Sequence, residues 1–338
     1  MPFKNFILGL LLLAIGMLSL SAQSQDSPRT LFDLISEHNE VAVYLILDPL
    51  SLRLAKDQDT AFQSEVLFIA DGDTILSSKV KVAPRGNFRR KECSFPPLAL
   101  NFPKSYLDEL SLSKADHYKL VTHCNDPRDT SQIVCKEFMT YQLYELLTSK
   151  SFRTKWLTMH YVASNGEIQL SADAFLIESN AELRRRLGGD WIEDEKVQVD
   201  SVDAFQFELA ALFQYMIGNR DMHLASQHNV RLLRNQGPRK YVPVPYDFDF
   251  SLFVKAPYAY PGLTNRSTVR RLYLGYQRNQ RIMPRVFSRF RGVRTKIVDL
   301  IGSDGKLSDE EKRQLLEYIN AFYDELLRNE YQMTYRLE

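Results

Sequence analysis

The sequence is short of net charge, cysteine, glycine motifs and long apolar runs, and each shortage removes a class of protein. Lys and Arg number 43 against 42 Asp and Glu, a net charge of +1. A nucleic-acid binder normally carries a basic excess, so nucleic acid is not an expected partner. Three cysteines in 338 residues are too few for a disulfide-built scaffold. The 14 glycines form no G-x-G-x-x-G run, so no glycine-rich phosphate loop is visible. After Leu20 no apolar stretch reaches the roughly 20 residues that span a bilayer. There is no internal repeat and no low-complexity linker. What is present is 44% hydrophobic and 25% charged, a globular balance that excludes disorder, collagen and coiled coil. The length allows one large domain or two ordinary ones.

Residues 1–22 have the pattern of a secretory signal. Lys4 is the positive start, 6–20 is apolar, and Ser-Leu-Ser-Ala offers cleavage after Ala22. The apolar run is shorter than a membrane anchor needs, and no cysteine follows it to carry a lipid. The mature chain is therefore expected to be secreted or periplasmic, with no transmembrane segment after cleavage. In an oxidising compartment two of Cys93, Cys124 and Cys135 can pair. Cys124–Cys135 would close a short loop, Cys93–Cys124 would staple two strands, and the spacing does not choose. A zinc site is disfavoured because no two of them are C-x₂₋₄-C.

Along the chain the patterning changes once. Residues 31–125 read as β-rich, with strands at 41–47, 64–70, 79–83, 98–102 and 118–122. A helix starts near Ser131, and strands at 156–162 and 168–177 flank the turn Ser164-Asn165-Gly166. After Ser179 come a short charged helix at 181–187 and a strongly apolar one at 202–217. A hairpin follows, with strands 230–233 and 241–245 around Asn235-Gln236-Gly237-Pro238. The last helix opens at Ser308 with a capping box. The expectation is an α+β chain: a β-rich N-terminal lobe (23–178) with one helix, then a mainly helical C-terminal lobe (179–338). The cleft between them would be the ligand site.

The densest polar information lies between Gly218 and Ser251. Asp221 sits in a polar loop after a buried helix, and Asn229 opens a strand. Asp247 and Asp249 close the next strand at i, i+2, so a period of two points them the same way. A hairpin from Asn229 to Asp247 would gather all four side chains. Two or three carboxylates with an amide oxygen make a hard oxygen site suited to Mg²⁺ or Mn²⁺. One carboxylate can stay off the metal as a base. His223 and His228 read as loop or packing histidines. Ser303-Asp304-Gly305 looks like part of a calcium loop, but Leu300 and Gly302 stand where its first acidic ligands belong; a turn and helix cap explain it. Asn265-Arg266-Ser267 is a glycosylation pattern.

Three stretches together resemble the secreted, CotH-like branch of atypical protein kinases. They are Arg85-Gly86-Asn87-Phe88-Arg89-Arg90 followed by Cys93-Ser94-Phe95-Pro96-Pro97-Leu98, Asn125-Asp126-Pro127 before a helix, and the Asp221/Asn229/Asp247-Phe248-Asp249 set. The resemblance implies a two-lobed, protein-kinase-like fold. It also implies phosphoryl transfer from ATP, with Mg or Mn, to a hydroxyl on an exported acceptor. Asp221 would be the catalytic base, and Asn229, Asp247 and Asp249 would hold metal. Ile177 and Glu178 would form the hinge facing adenine. Helix 131–148 would offer Glu137 or Glu145 to a phosphate-binding lysine, Lys119, with Arg85 as a second phosphate contact. Asp221 and Asn229 are eight residues apart, where the kinase loop has roughly five. Two rival expectations are a non-catalytic exported binding or envelope-assembly protein on the same scaffold, and a metal-dependent phosphoester hydrolase.

Overall fold

The computed structural model describes residues 28–54, 56, 58, 60–192, 197–235, 240–259, 270–276 and 282–328. The expected signal, residues 236–238 of the expected turn, and the glycosylation pattern at 265–267 lie outside the described residues.

The class is mixed α+β, but the N-terminal strands do more than form a sheet: seven of them close into a barrel. They are β1 (Ala42–Ile46), β2 (Phe62–Ala70), β3 (Asp73–Pro84), β4 (Leu98–Asn101), β5 (His117–Thr122), β6 (Thr154–Val162) and β7 (Ile168–Ile177). Their order is β1-β2-β3-β4-β5-β7-β6, and parallel pairing of β1 with β6 closes the ring. Closure leaves no edge strand to pair with another chain. Local chemistry explains the strands. In β3, Leu76, Ser78, Val80 and Val82 are buried while Lys79 and Lys81 face out, the period of two of a pleated strand. Asp71 and Gly72, with φ of 54° and 88°, make the two-residue turn between β2 and β3, a hairpin geometry that demands positive φ. Helix α1 (Leu31–Ser36), opened by a Thr30–Asp33 capping box, adds Leu31, Phe32 and Ile35 to the barrel core.

Three further short helices decorate the barrel: α2 (Pro49–Leu54), α3 (Asn87–Glu92) and α4 (Lys104–Glu109). The long α5 (Pro127–Leu147) lies against β7. Then follow α6 (Asn180–Leu187), α7 (Ala204–Ile217), α8 (Met283–Gly302) and α9 (Asp309–Arg328). A small antiparallel sheet runs β10-β9-β8, from β8 (Gly189–Trp191), β9 (Val230–Asn235) and β10 (Tyr241–Pro245). One apolar core runs from Val121, Phe175 and Ile177 through α5 into α7, α8 and α9. It therefore crosses the 178/179 junction, where the patterning of the chain changes. The residues that look like part of a calcium loop are a turn and a cap: Asp304 accepts the Lys306 and Leu307 amides, and Ser308 accepts that of Glu311.

Candidate functional site

The acid loop is built by its neighbours. Helix α7 ends at Gly218, whose φ of 67° gives a left-handed cap favourable to glycine. A β-carbon there would also collide with Leu252 and the Tyr318 hydroxyl. The fully buried Asn219 then accepts the Asp221 amide at 3.0 Å. The backbones of His223 and His228 exchange two hydrogen bonds of 3.0 Å, which folds the intervening residues into a tight turn. That turn absorbs the long spacing and returns Asn229 to Asp221. The Asn229 amide nitrogen donates to the Asp221 carbonyl (2.8 Å) and to its Oδ2 (2.9 Å), while His228 Nε2 lies 3.1 Å from Oδ1. Asp221 is half-buried, with both oxygens held in place.

The second acid pair sits beyond its strand, which corrects the strand-face expectation. β10 stops at Pro245, and Asp247 has a φ of 63°. What orients the pair is Phe248 between them, fully buried against Tyr141, Tyr144 and Phe213. Burying one such ring contributes about 2–3 kcal/mol, enough to fix the two flanking residues. The Asp247 amide donates to the Tyr141 hydroxyl at 2.9 Å, and the Tyr258 hydroxyl donates to Asp249 at 3.0 Å. Burial and the neighbouring Asp247 carboxylate push the Asp249 carboxyl up to about 7, against the pull of Arg89; Asp221 adds to the rise. The two acid segments therefore share one electrostatic field.

Helices α5 and α3 and the barrel strands supply the rest. Glu137 and Tyr141, one turn apart on α5, both reach this field. Burial first, and then Asp249, lift the Glu137 carboxyl well above the usual range, while Arg89 opposes the rise. The partner of Glu137 is Arg89, 3.7 Å away, and not Lys119. Arg89 also donates to the Thr122 carbonyl at 2.7 Å and faces the Tyr258 ring at 5.6 Å. Glu145, the other acid expected to meet Lys119, is exposed. Arg89 arrives on α3, the segment after Arg85-Gly86, which folds as a short helix.

A disulfide pins that helix to the end of β5. Cys93 and Cys124 are bonded, with Cα atoms 4.8 Å apart, and Cys135 is free and buried. Of the open pairings, Cys93–Cys124 is formed, but it joins the end of α3 to the loop after β5 and does not staple two strands. Opening a loop of this size in the unfolded chain is worth about 4 kcal/mol. A Cys93→Ser, Cys124→Ser variant should lose about that much in urea unfolding under oxidising conditions. A loss below about 1 kcal/mol would mean the link does not constrain the fold.

Lys119 projects from β5 with its ammonium 4.5 Å from the Tyr246 ring centroid. Burial, followed by Arg85, lowers its pKa to about 8, with Arg231 adding and Asp247 opposing. Arg85, at the end of β3, and Arg231, on β9, each have a buried Nε without a hydrogen-bond partner. The two expected hinge residues are structural in their side chains. Ile177 pairs with Lys119 in the β5–β7 register and is buried in the core. The carboxylate of Glu178, 1% exposed, is taken up by Arg153 and Arg186, each at 2.8 Å.

Among the described residues, no group of three or more His, Cys, Asp or Glu is set to hold a metal ion. The three-carboxylate version of the expected oxygen site is thus not formed. The pair Asp247 and Asp249 remains, and it fits a hard divalent cation: two carboxylates, one of them buried, repel each other and gain from a positive charge between them. Two cavities, of about 490 and 500 Å³, lie elsewhere; His123 with Asn125 lines one, and Lys114 with Arg184 and Arg185 lines the other.

Asp221, Asn229, Asp247, Asp249, Glu137, Lys119 and Arg85 therefore lie in one electrostatic neighbourhood. Sequence reasoning missed Arg89, Tyr141, Tyr258 and Arg231. Arg231 was within reach of it, since it stands two residues after Asn229 on a strand.

No protein-family model matches the chain, and no curated protein matches it. Among solved structures, the crystal structure of a Helicobacter pylori proinflammatory kinase, CtkA, is similar at a TM-score of 0.37 and 11% identity. The overlap covers 68% of this chain and 90% of that one. The relation to that kinase is weak and adds nothing to the reading of the site.

Proposed function

We propose that the chain is an exported, two-lobed, kinase-like phosphotransferase that moves the terminal phosphoryl group of ATP to a hydroxyl on an exported acceptor. The observation behind this reading is the meeting of two acid segments, Asp221/Asn229 and Asp247/Asp249, with the cations Lys119 and Arg85 and with Glu137 on α5. Phosphoryl transfer requires such a set: a carboxylate for the hydroxyl proton, and fixed positive charge around the phosphates.

Each residue has a role in this reading. Asp221, aligned by Asn229 and His228, accepts the acceptor's hydroxyl proton as its oxygen bonds to the terminal phosphorus. The bond from that phosphorus to the bridging oxygen breaks, and ADP leaves. Asp247 and Asp249 would hold Mg²⁺ or Mn²⁺, with the amide oxygen of Asn229 as a further donor. When bound, the metal offsets charge on the phosphates. Glu137 and Arg89 position α5 and, through it, Tyr141 and Asp247.

The test is a thermal-shift titration of residues 23–338 with ATP and Mg²⁺ or Mn²⁺, alongside Asp249→Asn. At 100 times its dissociation constant the ligand adds about 2.7 kcal/mol, a rise of several degrees. The rise should require metal and vanish in the variant. Cooperative melting of both proteins with no shift would sink the reading and favour the non-catalytic binding protein. ATP cleavage that no hydroxyl acceptor can divert would favour the hydrolase.

A further inference from the structure

We infer that Arg231 completes, with Arg85 and Lys119, a three-cation seat for a linear polyphosphate chain, which the protein recognises as such, without metal and without a base. The inference rests on the phosphotransfer reading for its biological sense, but the seat itself rests on geometry. Three separate elements deliver the cations: Ala99 of β4 pairs with both Ala83 of β3 and Lys119 of β5, so Arg85, two residues past Ala83 and still bonded to Pro97, falls on the Lys119 side, while Arg231 of β9 pairs with Val244, two residues before the Tyr246 ring that faces Lys119. Each of the two guanidinium groups, and the ammonium, acts electrostatically on another member or on their shared neighbour Tyr246.

Gathering three half-buried cations is unfavourable by itself. Among the described residues, Asp247 is the carboxylate that opposes the burial of the Lys119 charge. The side chains of Arg85 and Arg231 have no hydrogen bond or ion pair among the described residues, and the Nε of each is buried and unpaired. Other inward-facing arginines bond through at least one nitrogen, even where, as in Arg89 and Arg271, the Nε is likewise unpaired. Arg89 donates to the Thr122 carbonyl, Arg153 and Arg186 share Glu178, and Arg271 pairs with Glu325. A fold that pairs those guanidinium groups but leaves two others unpaired beside a lysine fits a ligand with several acceptor oxygens. The Tyr246 ring, 4.5 Å from the Lys119 ammonium, holds the third cation in place without neutralising it. A single carboxylate, with one charge and two oxygens, does not match three cations. A triphosphate chain has the charge and the oxygens. A nucleoside triphosphate and inorganic triphosphate share that chemistry.

Calorimetric titration of residues 23–338 with sodium triphosphate, ATP and GTP, in EDTA, tests this. Triphosphate should bind, ATP and GTP should bind within about tenfold of it, and Arg231→Gln should weaken all three by about tenfold or more. Arg231→Lys should recover part of the loss, and raised salt should weaken binding to the parent. Absence of triphosphate binding, or equal binding by Arg231→Gln at an unchanged melting temperature, would overturn the seat. So would ATP affinity about a hundredfold above that of triphosphate, since the base would then dominate recognition. The two readings fail separately. Acceptor phosphorylation without triphosphate binding removes the seat and keeps the kinase, whereas triphosphate binding without any transfer keeps the seat and removes the kinase.

Discussion

Asp221→Asn should lower phosphoryl transfer by about 10²–10⁴-fold, the usual contribution of a positioned general base, while leaving nucleotide affinity and the fold in place. The amide is nearly the same shape and can still accept a hydrogen bond from Asn229, whose nitrogen lies 2.9 Å from the carboxylate. What disappears is the negative charge that takes the proton. The lost contact to His228 is partly exposed, and such pairs contribute about 0–1 kcal/mol. Melting should therefore change little. The measurement is single-turnover transfer from labelled ATP, with affinity and melting followed in parallel. Equal rates in parent and variant would take the base role from Asp221. A matched loss of affinity and of fold would mean instead that the charge is structural. His228→Gln is the companion: it should lower the rate far less, since it touches the carboxylate from the solvent side and leaves both Asn229 bonds intact.

What was legible in the chain followed the range of the interactions involved. The barrel strands announce themselves because alternation along β2 and β3 is local, and so is the turn at Asp71-Gly72. Closure was hidden, because it depends on parallel pairing of β1 with β6, such as Ala42 with Thr158, and nothing in either segment names its distant partner. Helix α3 was hidden too: its six residues have no side-chain cap, too short a span for helical periodicity to show. In the site, the residue types were readable. The eight-residue spacing from Asp221 to Asn229 proved to be a small turn closed by His223 and His228. The cation chosen by Glu137 was not readable. Lys119 and Arg89 both precede it by many residues, and the disulfide that places α3, with the bond from Arg89 to the Thr122 carbonyl, decides in favour of the arginine.

A large loss of stability is also expected at Glu178, at the end of the barrel. Its carboxylate is 0% exposed and meets both Arg153 and Arg186 at 2.8 Å. It also accepts the Arg153 amide at 3.2 Å, while the Glu178 amide donates to the Arg153 carbonyl at 2.9 Å. Three places are tied together by this one group: the start of β6, the end of β7 and α6. Removing one partner of a buried pair costs about 3–5 kcal/mol. Arg153 and Arg186 are 34% and 27% exposed, so water compensates in part and the low end applies. Glu178→Ala should thus lose about 3 kcal/mol, or roughly 6–10 °C in melting temperature. Glu178→Leu combined with Arg153→Met and Arg186→Met should recover part of it, because no fully buried charge is then left unpaired, while the half-buried Asp33 loses Arg153 but keeps its bonds to Thr30. The same series separates the two roles this residue can have. If the carboxylate serves only the fold, ATP affinity measured well below the melting transition stays within about twofold across the series. A loss of about tenfold in Glu178→Gln with little change in stability would place the carboxylate against the nucleotide instead.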